Sequence, residues 1–251
     1  MNTLQAAISK CTTEGNVLFL PTEMLPNYAE VKRALQNAGG KYKRNSFVFP
    51  NDAKLYADRL MGGEKVNLKK EFQFFATPDK IADKLVELAE IQEFDSILEP
   101  SAGQGAIIDA ILRINTAVDV LYCEKMPENR AILEKKYANN KNIFPIGSND
   151  FLLIGEENKN AYDLLFNKII ANPPFSNNQD CDHVQKMYEC LAPKGRLVAI
   201  TSTHWENSNN KKETAFREWL NSVGGTVREL PAGSFKESGT NIPSLILVIN
   251  K

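Results

Sequence analysis

Hydrophobic residues recur at two spacings in the second half of the chain, and each spacing predicts a different element. Short apolar runs such as Leu245–Ile249 are typical of buried strands, whereas apolar residues three or four positions apart, as in Ala106–Ile114, are typical of amphipathic helices. From about residue 95 onward the two patterns alternate. Such alternation predicts βαβ units, whose strands lie parallel in one sheet.

The alternation predicts seven strands, at Ser96–Leu98, Val118–Cys123, Asn142–Ile146, Lys168–Ala171, Gly195–Thr201, Thr226–Leu230 and Leu245–Ile249. The last two are separated only by a loop, which is typical of an antiparallel pair at a sheet edge. Helices are expected at Ala106–Ile114, Glu128–Tyr137, Asp180–Leu191 and Glu213–Val223. We therefore expect an α/β fold with a mostly parallel sheet, helices on both faces and an antiparallel last strand.

The first part of the chain predicts a separate unit. Its pattern indicates a helix at Tyr28–Asn37, a short strand at Ser46–Phe49 and a further helix that ends near Met61. We expect a small α+β appendage at residues 1–68, a main domain at residues 69–251 and no internal repeat. Another helix should start near Thr77-Pro78, with Thr77 as the N-cap and the proline at the first helical position.

Composition narrows the class of protein. The 251 residues are 43% hydrophobic and 24% charged, which excludes a disordered chain or a coiled coil. No apolar run reaches the ~20 residues of a membrane helix, and the N-terminus does not resemble a secretory signal. The four cysteines lack CxxC spacing and predict reduced thiols, no metal site and a cytoplasmic protein.

The charge balance bears on possible partners. Basic residues number 30 and acidic residues 31, so a nucleic-acid contact would need local patches. One such patch lies between residues 27 and 44, where the only acidic residue is Glu30. Its basic residues are Lys32, Arg33, Lys41, Lys43 and Arg44. Cations beside Tyr42 are typical of a surface that follows a phosphate backbone, but an ordinary solvated surface is the alternative.

A glycine-containing turn follows the first strand of the predicted sheet. The stretch Leu98–Ala106 contains Gly103 and Gly105, which let the backbone approach a ligand closely at the carboxyl edge of the sheet. It is not the dinucleotide fingerprint, because no third glycine follows at the required spacing. Glu124 ends the second strand, where an acidic side chain can accept hydrogen bonds from ribose hydroxyls.

The motif Asn172-Pro173-Pro174-Phe175 directly follows the fourth strand. Two prolines cannot continue a central strand, so they stiffen a turn at the carboxyl edge. Asn172 is then expected to project into the same crevice as the glycine turn, with Phe175 beside it as a flat aromatic surface.

This motif resembles the catalytic motif of S-adenosylmethionine-dependent amino methyltransferases, which act on a nitrogen bonded to a planar conjugated system. The segment Gln73–Pro78 precedes the glycine turn and the Asn-Pro-Pro-Phe motif follows it, an order similar to the gamma arrangement of DNA adenine-N6 methyltransferases. The resemblance covers about residues 72–250. It implies a Rossmann-like methyltransferase sheet, S-adenosylmethionine as cofactor and S-adenosylhomocysteine as product.

The resemblance also implies a set of cofactor-binding residues. Phe75 and Thr77 would border the methionine end, Glu99 would lie along the methionine, and Glu124 would take the ribose hydroxyls. The full set is Phe75, Thr77, Glu99, Pro100, Ser101, Ala102, Gly103, Gly105, Glu124, Asp150, Phe151 and Asn172. Within it, Asp150 would reach the adenine amino group, although an aspartate after a strand is also a common turn former.

The implied catalytic residues are Asn172, Pro173, Pro174 and Phe175. The Asn172 side-chain oxygen and the Pro173 carbonyl would accept hydrogen bonds from the target amino group, while Phe175 stacks on the base. A target in duplex DNA must first be flipped out of the helix.

Three further residues are candidates for substrate binding, and two of them have an alternative role. Phe235 would supply a second stacking face, with Lys236 next to it, or it is a buried aromatic of the loop between the last two strands. His183 would contact the substrate, or it caps or packs within its helix.

Several functions and partners remain open at this point. Alternatives to DNA adenine are guanine-N2 or adenine-N6 in RNA and glutamine-N5 in protein, and a further alternative is a non-catalytic subunit that only binds the cofactor. DNA is the foremost expected partner and RNA the second; no membrane partner is expected. No large target-recognition domain follows the motifs, which suggests relaxed specificity, a specificity subunit or homo-oligomer, or recognition by residues 1–68.

Overall fold

The computed structural model describes residues 3–25, 27–49, 52–67, 75–114, 117–154, 165–238 and 240–251. The chain divides into two compact units, Met1–Phe74 and Phe75–Lys251. The predicted domain boundary after residue 68 falls at the stretch 68–74, which lies outside the described residues. This stretch includes Gln73, the first residue of the predicted segment Gln73–Pro78.

Among its described residues, the smaller unit consists of helices and hairpins in alternation. The helices are α1 (Thr3–Ile8), α2 (Tyr28–Asn37) and α3 (Ala53–Met61). The strands are β1 (Thr12–Glu14), β2 (Val17–Phe19), β3 (Lys41–Lys43) and β4 (Ser46–Val48). They form one antiparallel sheet in the order β1-β2-β4-β3.

The two hairpins of this sheet pair with each other through their second strands, β2 and β4. Leu18 of β2 pairs with Phe47 of β4 at the centre. The pairs Val17–Val48 and Phe19–Ser46 lie on either side. Each hairpin follows a helix, and both central side chains are fully buried. The two hairpins have strands of equal length but little sequence in common, and the expectation of no internal repeat in the sequence stays a prediction.

The larger unit contains a seven-stranded sheet of order β10-β11-β9-β8-β5-β6-β7. Its strands are β5 (Ser96–Glu99), β6 (Asp119–Tyr122), β7 (Ile143–Pro145), β8 (Phe166–Ala171), β9 (Leu191–Ser202), β10 (Thr226–Glu229) and β11 (Ser244–Asn250). Strands β5 to β9 pair in parallel, whereas β11 is antiparallel to both β9 and β10. The predicted fold class is confirmed.

Helices cover both faces of this sheet, because alternate residues of each central strand enter different cores. Ile170 belongs to one core, together with residues of α4 (Asp79–Ala89), α5 (Ala106–Ile114) and α6 (Pro127–Tyr137). Its neighbour Ile169 belongs to the other core, with residues of α7 (Gln179–Glu189) and α9 (Lys211–Ser222). The short helix α8 (His204–Asn207) precedes α9. The period of two along a strand thus separates the sheet into two buried faces.

The described helices do not include one that combines the length and apolar character required to cross a bilayer.

The second core predicts a stability difference between two paired strand residues. Leu247 is fully buried, whereas its register partner Val227 on the edge strand β10 is 42% exposed. Leu247→Ala should lower the free energy of unfolding by about 2–5 kcal/mol because it leaves a cavity. The matched control Val227→Ala should cost less than about 1 kcal/mol. Urea unfolding of the full chain measures both, and equal losses would contradict this description of the core.

Candidate active site

The predicted site residues meet at the carboxyl edge of the parallel strands. Strand β5 lies between β6 and β8, so that Leu98 pairs with both Leu121 and Ile169. Parallel strands end at the same edge, which brings the turns that follow β5, β6 and β8 next to one another. The chain order reverses between β5 and β8, and open α/β sheets bind their ligands at such a reversal.

The turn after β5 is fastened to the end of β6 by backbone hydrogen bonds. The Cys123 amide donates to the Glu99 carbonyl at 2.9 Å, and the Ala102 amide donates to the Cys123 carbonyl at 2.9 Å. Gly105 has a φ of 84°, and a Cβ at this position would overlap the Tyr137 hydroxyl. That hydroxyl donates to the Gly105 carbonyl at 3.0 Å. Close packing therefore requires a glycine here.

Glu124 binds this turn directly. Its Oε2 accepts a hydrogen bond from the Gly103 amide at 2.7 Å, and its Oε1 accepts one from the Met126 amide at 2.7 Å. The side chain is buried, and this burial raises the pKa of Glu124, although the two backbone bonds oppose the rise. Because each carboxylate oxygen has two lone pairs, both oxygens keep one acceptor site for a further donor such as a ribose hydroxyl.

Glu99 is less well compensated by hydrogen bonds than Glu124. It is 1% exposed, and its Oε2 has no hydrogen-bond partner among the described residues. Burial first, and then the charge of Glu124, hold the pKa of Glu99 well above its usual value. The turn therefore presents carboxyl acceptors whose ionised form a nearby cation would favour, an environment that suits a cationic ligand rather than a phosphate.

Asn172 follows β8 and is oriented by a residue far away in the sequence. Its Nδ2 donates a hydrogen bond to Thr77 Oγ1 at 3.0 Å. Thr77 does not cap a helix as predicted: α4 begins at Asp79 with Pro78 as its N-cap, and that cap makes no side-chain hydrogen bond. Because the amide nitrogen is engaged by Thr77, the Asn172 oxygen remains as an acceptor.

The rest of the Asn-Pro-Pro-Phe motif is partly enclosed. Pro173 is buried, Pro174 is half-buried, and Phe175 is half-buried against the core that contains Ile170. Pro100 and Ser101, also predicted at the site, lie in the turn after β5, where the proline is buried.

Residues after the motif, which the sequence analysis did not predict, fix where the chain goes next. Asn177 and Asn178 both have a φ of 55°, in the left-handed region. The side-chain Nδ2 of Asn178 donates a hydrogen bond to the buried Glu213 carboxylate. Asp180 is fully buried. Its Oδ2 accepts hydrogen bonds from the backbone amide of Ser202 at 2.8 Å and from the Ser202 hydroxyl at 2.9 Å. The consecutive asparagines were the one local signal for this turn, since asparagine tolerates left-handed backbone.

Asp150 has two partners within the protein. One oxygen accepts from the Leu152 amide at 3.1 Å and so starts a short 3-10 turn, and the other lies 2.6 Å from Lys125 Nζ. Phe151 is buried beside His183, with ring centroids 5.6 Å apart. Asp150 is therefore a turn former in this structure, and its contact with a cofactor adenine stays a prediction.

Two of the three candidate substrate-binding residues, His183 and Phe235, are buried. His183 is 5% exposed, and burial lowers its pKa to about 4, so the ring is neutral at physiological pH. Phe235 is 4% exposed and belongs to the core that contains Ile170, while its neighbour Lys236 is exposed. Packing accounts for both buried rings, and their contact with a substrate stays a prediction.

The segment around Phe75 also lies at this edge. Phe75 itself is half-buried, and the next residue, Ala76, accepts a hydrogen bond through its carbonyl from Ser238 Oγ at 2.5 Å. The loop between β10 and β11 is thereby tied to the segment that carries Thr77.

Comparison with known proteins supports the fold but does not establish a family. No protein-family model matches the chain. Over 117 residues, 46% of this chain, it is 28% identical to ribosomal RNA small subunit methyltransferase A of Prochlorococcus marinus. This stretch spans only 41% of that relative's length.

Solved structures with a similar fold include two subunits of type I restriction enzymes. A modification subunit of a putative type I restriction enzyme from Vibrio vulnificus matches with a TM-score of 0.59, 15% identity and 77% of this chain covered. The EcoKI M protein of a type I restriction enzyme matches with a TM-score of 0.54, 15% identity and 80% covered. The chain spans 48% and 51% of their lengths. At this identity the likeness shows a Rossmann-like methyltransferase fold.

The glycine turn predicts a difference between two glycines that both have positive φ. Gly105→Ala should destabilise the protein through left-handed strain of about 1–2 kcal/mol and, in addition, about 1–3 kcal/mol from overlap with Tyr137. Gly233→Ala is the matched control, because Gly233 has a φ of 80° but an added Cβ there would meet no atom within 4 Å. Thermal unfolding compares them, and a similar loss in both variants would show that the contact with Tyr137 is unimportant.

The buried Glu99 predicts a specific pH dependence of stability. Its raised pKa means that the folded state keeps a proton that the unfolded chain loses near pH ~4.3, so stability falls as pH rises above that value. Glu99→Gln should remove this contribution, and the gain over the original chain should grow from acidic to neutral pH. Urea unfolding across this range measures it, with the exposed Glu93→Gln as control. A gain that does not depend on pH would contradict the assignment.

Proposed function

We propose that the chain transfers a methyl group from S-adenosylmethionine to the exocyclic N6 of adenine in DNA. The observation that carries the proposal is the hydrogen bond from Asn172 Nδ2 to Thr77 Oγ1, at 3.0 Å. It leaves the Asn172 oxygen as an acceptor at the same sheet edge as the acidic turn after β5. This is the arrangement required to bind an amino group beside a cationic cofactor.

The residues of the acidic turn fit S-adenosylmethionine. This cofactor has an ammonium group, a ribose diol and a methyl group on a cationic sulfur, which it supplies as the electrophile. The Glu99 carboxyl group, whose Oε2 lacks a partner among the described residues, would hold the ammonium group. Glu124 keeps two acceptor sites for the ribose hydroxyls, and the Gly103–Gly105 backbone leaves room for the cofactor to approach.

Asn172 and Pro173 would activate the target nitrogen. The lone pair of an adenine amino group is delocalised into the ring, which makes the nitrogen a poor nucleophile. Two acceptors, the Asn172 Oδ1 and the Pro173 carbonyl, hold the two N–H bonds so that the lone pair localises as the nitrogen becomes tetrahedral. These hydrogen bonds strengthen as positive charge develops on nitrogen and therefore favour the transition state over the ground state.

Phe175 would hold the base in line with the methyl group by stacking on its face. The new N–C bond forms as the C–S bond breaks, the electron pair of that bond stays on sulfur, and the surplus amino proton is lost to water. In this transfer step no side chain has to change its protonation state, which agrees with the neutral, buried His183 and the absence of another histidine among the predicted site residues.

DNA is favoured as the substrate by the order of the motifs, and the shared fold with modification subunits of type I restriction enzymes supports it. The second candidate is a planar nitrogen in RNA, because the curated relative is a ribosomal RNA methyltransferase. A separate specificity subunit or a homo-oligomer would supply target recognition in either case.

Parallel labelling reactions test the substrate class. The full chain is incubated with S-adenosylmethionine labelled in its methyl group and with duplex DNA, RNA or a protein extract, and the products are digested to nucleosides or amino acids. We expect the label in N6-methyladenine from DNA. Label in RNA alone would favour the second candidate; label in glutamine, or cofactor binding without transfer, would contradict both.

Asn172→Ala should lower kcat by about 10²–10³, since it removes one acceptor that acts in the transition state. Thr77→Val, which removes the partner that orients Asn172, should cause a smaller loss of about tenfold. Both variants should bind S-adenosylmethionine within about threefold of the original chain. The exposed Asn221→Ala is the control, and transfer at the original rate by Asn172→Ala would contradict the mechanism.

A further inference from the structure

The two hairpins of the smaller unit have equivalent positions but opposite charge. Strand β1 contains Thr12, Thr13 and Glu14, and the equivalent strand β3 contains Lys41, Tyr42 and Lys43. The turn of the second hairpin adds Arg44. The first hairpin thus has the same kind of strand pairing without basic residues on its strands.

The cations of the second hairpin are also unpaired. Lys41, Lys43 and Arg44 are exposed, and none of them has an ion-pair partner among the described residues. Three other basic residues of the same unit are each paired with a carboxylate, namely Lys10 with Glu23 at 2.8 Å, Lys54 with Asp58 at 2.7 Å and Arg59 with Glu64 at 2.8 Å. The second hairpin therefore groups three exposed cations that have no carboxylate partner among the described residues.

Strand alternation assigns the lysines to one face of the sheet. Tyr42 pairs with Phe47, which is fully buried, so Lys41 and Lys43 lie on the opposite face. On that face Lys43 pairs with Ser46, which in turn pairs with Phe19. Phe19 is 41% exposed and lies two strands away from Lys43, about 10 Å by the usual strand spacing. The face thus combines an exposed aromatic ring with two unpaired cations.

The hairpin is held in place from the other face. The Lys32 Nζ of α2 lies 5.1 Å from the centre of the Tyr42 ring, and the Tyr42 and Phe47 rings make an edge contact with centroids 5.3 Å apart. Arg44 and Asn45 have φ values of 45° and 58°, which match the twist that a tight hairpin turn requires. The cations are therefore presented by a fixed scaffold rather than by a loose segment.

We propose that this surface, formed by Lys41, Lys43, Arg44 and Phe19, binds the phosphate backbone of DNA. The inference rests on the proposed function, since it assigns the substrate's backbone to the smaller unit. Three unpaired cations on a rigid edge neutralise phosphates without reading sequence, and the exposed aromatic ring packs against sugars or bases. The surface supplies local positive charge in a chain whose net charge is only −1.

Salt-dependent binding of a labelled duplex oligonucleotide tests the surface. In the triple variant Lys41→Gln, Lys43→Gln, Arg44→Asn, affinity should fall at least about tenfold, and the slope of log K against log salt should decrease by about 3. The control triple Lys10→Gln, Lys54→Gln, Arg59→Gln removes the same formal charge from paired positions, and its slope should change by less than about 1.

Equal effects of the two triples, or an unchanged slope in the hairpin variant, would overturn the inference, as would a single-stranded RNA that competes about tenfold better than the duplex. Thermal unfolding verifies that both variants are folded. In methyl transfer the hairpin variant should raise KM for DNA and leave kcat at saturating DNA unchanged. Binding is read without catalysis, so a chain that binds DNA through the hairpin but does not methylate it would contradict only the proposed function.

Discussion

The burial of two carboxyl groups at one edge of the main sheet is the constraint on which the site depends. Glu124 is compensated by two backbone amides, both at 2.7 Å, whereas Glu99 keeps an oxygen without a partner among the described residues. Burial raises the pKa of both groups. Ionisation of the buried Glu99 therefore costs free energy in the folded protein. A bound cation would offset this cost, and the proposed cofactor carries a positive charge.

The parallel sheet makes this arrangement possible because it fixes the turns from both sides. Alternate residues of the central strands enter two separate cores, so the strand ends cannot move independently. The amide of Asn172 is oriented by Thr77, from a segment before the sheet, and the chain beyond Phe175 is fixed through Asn178 and Asp180. In the proposed mechanism, catalysis then consists of positioning and hydrogen bonding, without a titrating side chain.

The sequence predicted those features whose cause is local. The helix Ala106–Ile114 has the predicted bounds. The glycines before it mark its start, and its apolar spacing marks how far it extends. The Asn172 motif was recognised because two prolines after a strand permit few structures. By contrast, the bond between Asn172 and Thr77 joins segments far apart in sequence, and the wrong expectation that Thr77 caps a helix followed from considering only its neighbours. The short strand Thr12–Glu14 has no apolar alternation and depends on pairing within its sheet.

Calorimetry of S-adenosylmethionine binding tests the central claim, that the buried acidic turn holds a cationic cofactor, most directly. Titrations in buffers of different ionisation heat, from about pH 5 to about pH 7, count the protons exchanged on binding. We predict proton release, because a cation beside Glu99 favours its ionised form, and loss of that release in Glu99→Gln. No binding, or proton release that is the same in Glu99→Gln, would contradict the account.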